Sequence, residues 1–519
     1  MKRIFRYDDV PPVKTTAGLL QGYFVDNVYI FKGVPYAQAR RFQKPEPVTP
    51  WEGIKDVTSY GFVCPLMTQD TPTGELLVPH RYWPQDENCQ NLNIWTRTLD
   101  SDVKKPVVVW IHGGGYFAGS SIEQEAYDGE NMASNGDVVV VSVNHRLNIL
   151  GYLDVSPFGE KYKNSANAGQ ADLVAAMQWI HDNISEFGGD PENITLFGQS
   201  GGGMKIGALL QTPASDGLFH KVLMMSGVAD DESPIMPRPS GDGRAVVTAM
   251  MKELDIPLDM AEQLETIPYQ DLVRAYSKVS PAIAMQGGYV GCYPLVNEFF
   301  LGDPLTCYTE HAKEIPMMVS TVFGEFAFAP FPYNKKEITE QETQDILNRH
   351  FGEKSPKLVE LFTQAYPGKH PLDLLCLDRV FRIPSCKLAM KHTSFGKAPA
   401  YMYAFAPDFS YQNGKPAWHC SDIPFIFNNV EKVPSANIAN VSEKLEREMF
   451  HAFMNFAYTG NPSSPDLEWP ACKPGDAATM VFEEHSSVRH NFDDALLELF
   501  EEIAPPFSLA ALFQQDIQH

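Results

Sequence analysis

Residues 194–203 read Ile-Thr-Leu-Phe-Gly-Gln-Ser-Gly-Gly-Gly, an apolar run that meets a glycine cluster with one serine, Ser200, inside it. Gly198-Gln199-Ser200-Gly201-Gly202 fits G-x-S-x-G, a strand-to-helix turn so sharp that the positions two residues either side of the serine must be small. Such a turn lifts the Ser200 hydroxyl clear of the sheet edge. The helix that follows, from Gly202 through Lys205 and Leu209, aims its N-terminal amides at the same point and favours negative charge there. The bare pentapeptide fits an ordinary glycine-rich turn equally well. The strand before it and the helix after it favour a nucleophile.

Upstream, residues 92–95, 106–111 and 138–143 are short β-branched runs, the last two nearly all apolar, as strands covered on both faces should be. They predict a mixed or parallel sheet core. Directly after the second run comes His112-Gly113-Gly114-Gly115-Tyr116, where consecutive glycines let main-chain N–H groups approach a ligand without a Cβ in the way. An oxyanion element of this HGGG type partners a nucleophile elbow. The competing reading is a phosphate loop, but no G-K-[ST] ending and no tight βαβ ribose pattern follows it. Residues 171–187 space Leu173, Val174, Met177, Ile180 and Ile184 as a helix that ends at Gly188-Gly189-Asp190-Pro191.

Toward the N-terminus, residues 13–24 and 28–33 read as two strands of an antiparallel hairpin turning at Val25-Asp26-Asn27. The proline-punctuated stretch 41–53 reads as a wrap over the core. Between Cys64 and Cys89 lies a segment with Leu76, Leu77, Val78, Tyr82 and Trp83 interspersed with charge. A lid and a surface loop with an apolar underside both fit it. Toward the C-terminus, residues 221–225, 315–322, 400–405 and 480–482 are further strands and 442–458 a long helix stopped at Gly460-Asn461-Pro462. Residues of about 230–310, helical and proline-broken, read as a cap insertion of the kind that carries substrate specificity.

The 519 residues hold Lys+Arg 41 against Asp+Glu 65, a net charge of −24 that repels nucleic-acid phosphates and anionic membrane surfaces. No apolar run reaches the length of a bilayer span, and the N-terminus has no apolar signal region, so a cytoplasmic protein without membrane segments is expected. The 8 cysteines are too sparse for a disulfide scaffold and none is spaced C-x-x-C, so no metal site is expected.

A serine hydroxyl needs a base oriented by a carboxylate. In this kind of sheet enzyme the order along the chain is Ser, then Asp or Glu, then His, each in a loop after a strand. Glu325, in Phe323-Gly324-Glu325-Phe326, and His419, in Trp418-His419-Cys420-Ser421-Asp422, meet both conditions. Asp303, Glu314 and Asp422 are rivals for the acid, Asp422 the strongest.

With these residues in place the chain resembles the type-B carboxylesterase and lipase family, which includes cholinesterases and bacterial para-nitrobenzyl esterases. The resemblance rests on Phe187-Gly188-Gly189 followed by Ile194 through Gly202, on residues 31–37 and Asn144-His145-Arg146-Leu147, and on Phe456-Ala457-Tyr458-Thr459-Gly460-Asn461-Pro462. It implies one α/β-hydrolase domain over residues 1–519, with a mostly parallel central sheet. It also implies a catalytic triad of Ser200, Glu325 and His419 and an oxyanion hole from the amides of Gly114, Gly115 and Gly201. The expected activity is hydrolysis of uncharged short- to medium-chain or aromatic carboxylic esters through an acyl-enzyme, with no cofactor. Cys64 and Cys89 match the family's first disulfide pair. A non-catalytic binding module of the same fold is the alternative, although such proteins lose triad members. The chain departs from the family in Glu87-Asn88-Cys89-Gln90-Asn91-Leu92-Asn93, and in Gln199 and Gly201 where Glu and Ala are commoner. No tryptophan matches the choline-binding one of the cholinesterases, so a choline ester is not the expected substrate.

Overall fold

The computed structural model describes residues 3–68, 80–229, 241–291, 293–328 and 331–504. It is an α/β fold with a large, mostly parallel central sheet flanked by helices and an N-terminal antiparallel hairpin. The chain forms two compact units. Among the described residues, one comprises 3–68, 80–222, 241–291 and 293–312, the other 223–229, 313–328 and 331–504.

In the first unit the sheet strands are β1 (Phe5–Arg6), β2 (Tyr23–Val25), β3 (Val28–Pro35), β4 (Asn91–Thr96), β5 (Lys105–Ile111), β6 (Val139–Val143) and β7 (Gly189–Gln199). Their spatial order is β1-β2-β3-β4-β6-β5-β7. The pairs from β1 through β4 to β6 are antiparallel. Strand β5 is parallel to both β6 and β7, with Val107 opposite Val139 on one side and Ile194 on the other. Residues 106–111 of β5 and all of β6 are buried, which is why these runs lack the polar alternation of a half-exposed strand. The boundary between the units falls inside β8 (Lys221–Met225). In the second unit β9 (Met317–Val322), β10 (Ala400–Phe405) and β11 (Ala478–Phe482) pair in parallel, and β12 (Ser487–His490) adds antiparallel to β11.

The predicted hairpin is β2 and β3, turning at Asp26 (φ 55°). Residues 13–21, expected as part of the same strand, instead form Val13–Lys14 and Leu19–Gln21, paired to each other. The chain turns back at Thr15, whose amide bonds the Gly18 carbonyl at 2.9 Å. Gly18 (φ +154°) lies so close to Trp51 that a Cβ would stand 2.5 Å from the indole nitrogen.

The helix expected at 171–187 runs from Ala168 to Asn183 as α1 and tightens into a 3-10 turn, Ile184–Phe187. Gly188 ends it in the left-handed conformation (φ 74°), its amide bonding the carbonyls of Ile184 and Ser185. The described part of the cap stretch contains α3 (Arg244–Glu253) and α4 (Tyr269–Met285), numbered after the elbow helix α2 (Gly201–Leu209). Val246, Val247, Met250 and Met251 of α3 pack with Leu272, Val273 and Tyr276 of α4 in one apolar cluster. In the second unit, α5 (Arg382–Ser394) packs on β9 and β10, and α6 (Ser442–Thr459) stops at Gly460 (φ 78°).

Of the segment between Cys64 and Cys89, residues 69–79 lie outside the described residues, as do Leu76, Leu77 and Val78. Tyr82 is exposed, and Trp83 packs edge-on against Tyr60 at 5.5 Å. Cys64 and Cys89 are buried free thiols in one small cluster with Leu147 and Leu150, and the Leu147 amide donates to Cys64 Sγ at 3.2 Å. Among the described residues no helix is long and apolar enough to cross a membrane, and no cluster of metal-binding side chains is found.

Candidate functional site

Strand β7 ends at Gln199, α2 begins at Gly201, and Ser200 makes the whole turn at φ 55°, ψ −124°. A non-glycine residue in this region costs on the order of 1–3 kcal/mol, which the surrounding packing must hold. The Met204 amide closes the first helical bond onto the Ser200 carbonyl at 3.0 Å, so the serine caps the helix with its own main chain and keeps its hydroxyl free for other work. The glycines at either side are steric necessities. A Cβ on Gly198 would stand 2.6 Å from the Ile111 carbonyl oxygen, and one on Gly202 only 2.0 Å from the same atom. Gly202→Ala is therefore expected to destabilise the first unit by about 3 kcal/mol or more, read as lost soluble yield or a lowered Tm.

The loop after β5 comes to meet this turn. Gly113 approaches Ser200 so that a Cβ on it would lie 3.5 Å from the serine Cβ. Gly114 (φ +83°) and Gly115 (φ +61°) adopt left-handed conformations suited to glycine. A Cβ on Gly201 would fall 2.3–2.5 Å from the O, N and Cα of Gly115, so the two main chains are in direct contact. The amides of Gly114, Gly115 and Gly201 donate to no acceptor among the described residues. Unpaired N–H groups beside a serine at a helix N-terminus suit an anion.

In the second unit, Glu325 follows β9 and His419 follows the short strand Lys415–Pro416. Their loops are stitched together by main-chain bonds, from the Gly324 amide to the Ala417 carbonyl (2.8 Å) and from the His419 amide to the Glu325 carbonyl (3.2 Å). That pairing sets Glu325 Oε2 2.6 Å from His419 Nδ1. The other carboxylate oxygen accepts the Val322 amide at 2.9 Å. Burial pushes Glu325 up to about 8, opposed by the Ser226 hydroxyl and the Val322 amide. The same loss of water pushes His419 down to about 4, against the negative charge of Asp422 and Asp378. Burial penalises charge on both partners. For chemistry the histidine's direction decides, because a neutral imidazole is the form that can take up a proton.

The rivals for the acid go elsewhere. Asp303 accepts the Leu305 amide at 2.7 Å, and Glu314 pairs with Lys397 at 3.2 Å on the surface. Asp422 is fully buried and accepts the Tyr403 hydroxyl at 2.8 Å. Burial pushes it up to about 7, partly offset by that bond.

The aromatic setting of His419 has no local signature in the sequence. Phe326 and Phe381 lie nearly parallel to the imidazole at 6.3 and 5.5 Å, and Phe328 stands edge-on at 6.3 Å. Stacked rings attract an imidazolium, by roughly 0.5–2 kcal/mol for such contacts. Phe326 and Phe328 remain partly exposed, whereas Phe381 is buried at the start of α5. A Phe-x-Phe pair just after the acid is the one hint the sequence offers; Phe381 is contributed by a separate element. Ser200, Gly114, Gly115 and Gly201 thus belong to the first unit, and Glu325 and His419 to the second.

The sequence pattern of the Carboxylesterase family matches residues 9–499. The para-nitrobenzyl esterase of Bacillus subtilis (strain 168) is 32% identical over 496 residues, 92% of this chain and 96% of that protein. The phenmedipham hydrolase of Pseudarthrobacter oxydans is 30% identical over 487 residues, 91% of this chain and 94% of that one. Among solved structures, an esterase from anaerobic Clostridium hathewayi that can hydrolyze aliphatic aromatic polyesters superposes with a TM-score of 0.94 at 56% identity, covering 97% of this chain and 100% of the other. With a family pattern that spans almost its whole length, and relatives and solved structures that agree with it throughout, the chain belongs to the carboxylesterase family and is a carboxylic-ester hydrolase.

Proposed function

We propose that the protein hydrolyses uncharged short- to medium-chain or aromatic carboxylic esters, with Ser200 as nucleophile, His419 as general base and acid, and Glu325 as the carboxylate that orients the histidine. Ser200 Oγ attacks the ester carbonyl while its proton passes to His419 Nε2. The amides of Gly114, Gly115 and Gly201 receive the oxyanion, and loss of one such donor typically costs about 10²- to 10³-fold in rate. The tetrahedral intermediate collapses with the proton delivered to the leaving alcohol. Water then repeats the sequence on the acyl-enzyme and frees the acid. The observation that carries this reading is the 2.6 Å bond from His419 Nδ1 to Glu325 Oε2.

The aromatic part of the substrate range is supported by the half-exposed Phe326 and Phe328 around His419. It is supported as well by relatives whose names include a para-nitrobenzyl esterase and a hydrolase of aliphatic aromatic polyesters. Residues of about 230–310, with α3 and α4 in their described part, are the cap that shapes the acyl and alcohol pockets. Sparse cysteines without paired spacing support a cytoplasmic site of action.

A panel of p-nitrophenyl esters from acetate to palmitate, with aromatic esters added, tests the range. Short and medium acyl chains are expected to exceed palmitate by on the order of 10-fold or more in kcat/KM, with no interfacial activation on tributyrin or triolein. The described part of the Cys64 to Cys89 segment carries His80, Arg81 paired with Glu125, and Asp86, a poor surface for docking onto oil. Strong activation on an emulsion would overturn this preference.

A further inference from the structure

Helix α2 carries a side chain that the reaction just described does not use. Lys205, five residues after Ser200, is completely buried. Its Nζ donates to the His112 carbonyl at 3.0 Å, and its own carbonyl accepts the Gln170 side-chain amide at 3.1 Å. His112 at the end of β5 and His145 after β6 feel the charge of the amine, which itself feels Glu123 and Cys64. The two imidazoles stack on each other at 5.1 Å with 23° between their planes. Burial, and next the lysine itself, hold both rings well below the usual histidine range, so they sit neutral beside it. Burial pushes Lys205 down to about 7, against the pull of Glu123 and Cys64. In either protonation state the amine has an N–H to give the carbonyl.

An amine without a bidentate acid partner is a poor way to stabilise a core, because an apolar side chain of the same volume avoids the cost of leaving water. What Lys205 supplies is a fixed donor to one peptide. The His112 carbonyl belongs to the peptide that opens the run Gly113-Gly114-Gly115, and three successive glycines are the backbone with the most freedom to lose. An oxyanion hole works only if its donors are aimed before the charge develops.

We infer that Lys205 is a positioning residue of the oxyanion hole: by holding the His112–Gly113 peptide from the nucleophile's own helix, it fixes the direction of the Gly114 and Gly115 amides relative to Ser200. This rests on the assignment of Ser200 and the glycine amides made above. The lysine touches neither substrate nor the reacting atoms. It acts through the loop, and its loss is felt where the oxyanion forms rather than where the ester first binds.

The test compares Lys205→Met with Lys205→Gln, side chains of nearly equal reach that differ in having a donor for the carbonyl. Each is checked for a wild-type circular dichroism spectrum and for stoichiometric phosphonate labelling. Lys205→Met is expected to lower kcat 10- to 100-fold with KM within about 2-fold of wild type. Affinity for an alkyl boronic acid, which mimics the tetrahedral intermediate, should fall by a similar factor. Lys205→Gln should recover at least half of that loss on a logarithmic scale. A Met variant with kcat within 2-fold of wild type, or one whose loss lies in KM with boronate affinity intact, overturns the inference. Lys205→Ala, read the same way, takes its place if the Met variant does not fold. Ser200→Ala run alongside separates the two levels: if it keeps turnover, the nucleophile assignment fails, whatever Lys205 does.

Discussion

Replacing Ser200 with alanine is expected to reduce ester turnover on the order of 10⁴- to 10⁶-fold in kcat, to the residue left by the oxyanion amides and substrate binding alone. The fold should survive. Ser200 sits at φ 55°, and alanine meets the same backbone strain there as serine does. The helix-opening bond, from the Met204 amide to the carbonyl of residue 200, is made by main chain and is untouched. Hydrolysis of p-nitrophenyl butyrate, together with labelling by a phosphonate, measures the effect. The wild type should take up one label per chain and the variant none. Full turnover in a pure sample of the variant would remove Ser200 from the mechanism.

The second large effect separates two buried carboxylates. Glu325→Gln is expected to lower kcat on the order of 10²- to 10⁴-fold with little change in KM. Glu325 Oε2 meets His419 Nδ1 at 2.6 Å, so in its ionised form it holds the imidazole proton on Nδ1 and offsets the charge of the imidazolium. A glutamine keeps the shape and loses that charge in a site where the side chain is wholly out of water. Asp422→Asn should cost less than about 10-fold. Asp422 spends its contact on the Tyr403 hydroxyl, and an asparagine oxygen can still accept it. Should the asparagine variant prove the weaker enzyme, with Glu325→Gln near wild type, the acid would be Asp422.

These contacts also mark how far the sequence reaches. The elbow was legible because its mechanics are local: Gly198 and Gly202 lie two residues either side of Ser200, and the atom each must clear is the Ile111 carbonyl that the register of β5 and β7 delivers. The buried strands β5 and β6 were legible for the same kind of reason, since a strand covered on both faces has little room for polar residues. Gly18 shows the opposite. Nothing between residues 13 and 24 announces that Trp51 will pack against it, so one predicted strand became several pieces. The aromatic rings on His419 escaped for a different reason, since Phe326, Phe328 and Phe381 are ordinary core-type residues until two loops and a helix bring them to one imidazole. Lys205 is marked in the sequence only as a residue of the elbow helix. Only the approach of the His112 carbonyl makes it a buried one.

The contact of Gly201 with Gly115 has a bearing on how this enzyme can be altered. Donors that belong to the main chain are encoded at every codon except proline's, so random mutagenesis rarely deletes them, whereas a bulkier residue at position 202, where a Cβ would stand 2.0 Å from the Ile111 carbonyl oxygen, is eliminated before it can be selected. The heritable variation left to the protein lies in side chains such as the partly exposed Phe326 and Phe328 beside His419. A library confined to those positions and to the helices α3 and α4 would explore substrate range while leaving the reaction centre, as an inherited constant, intact.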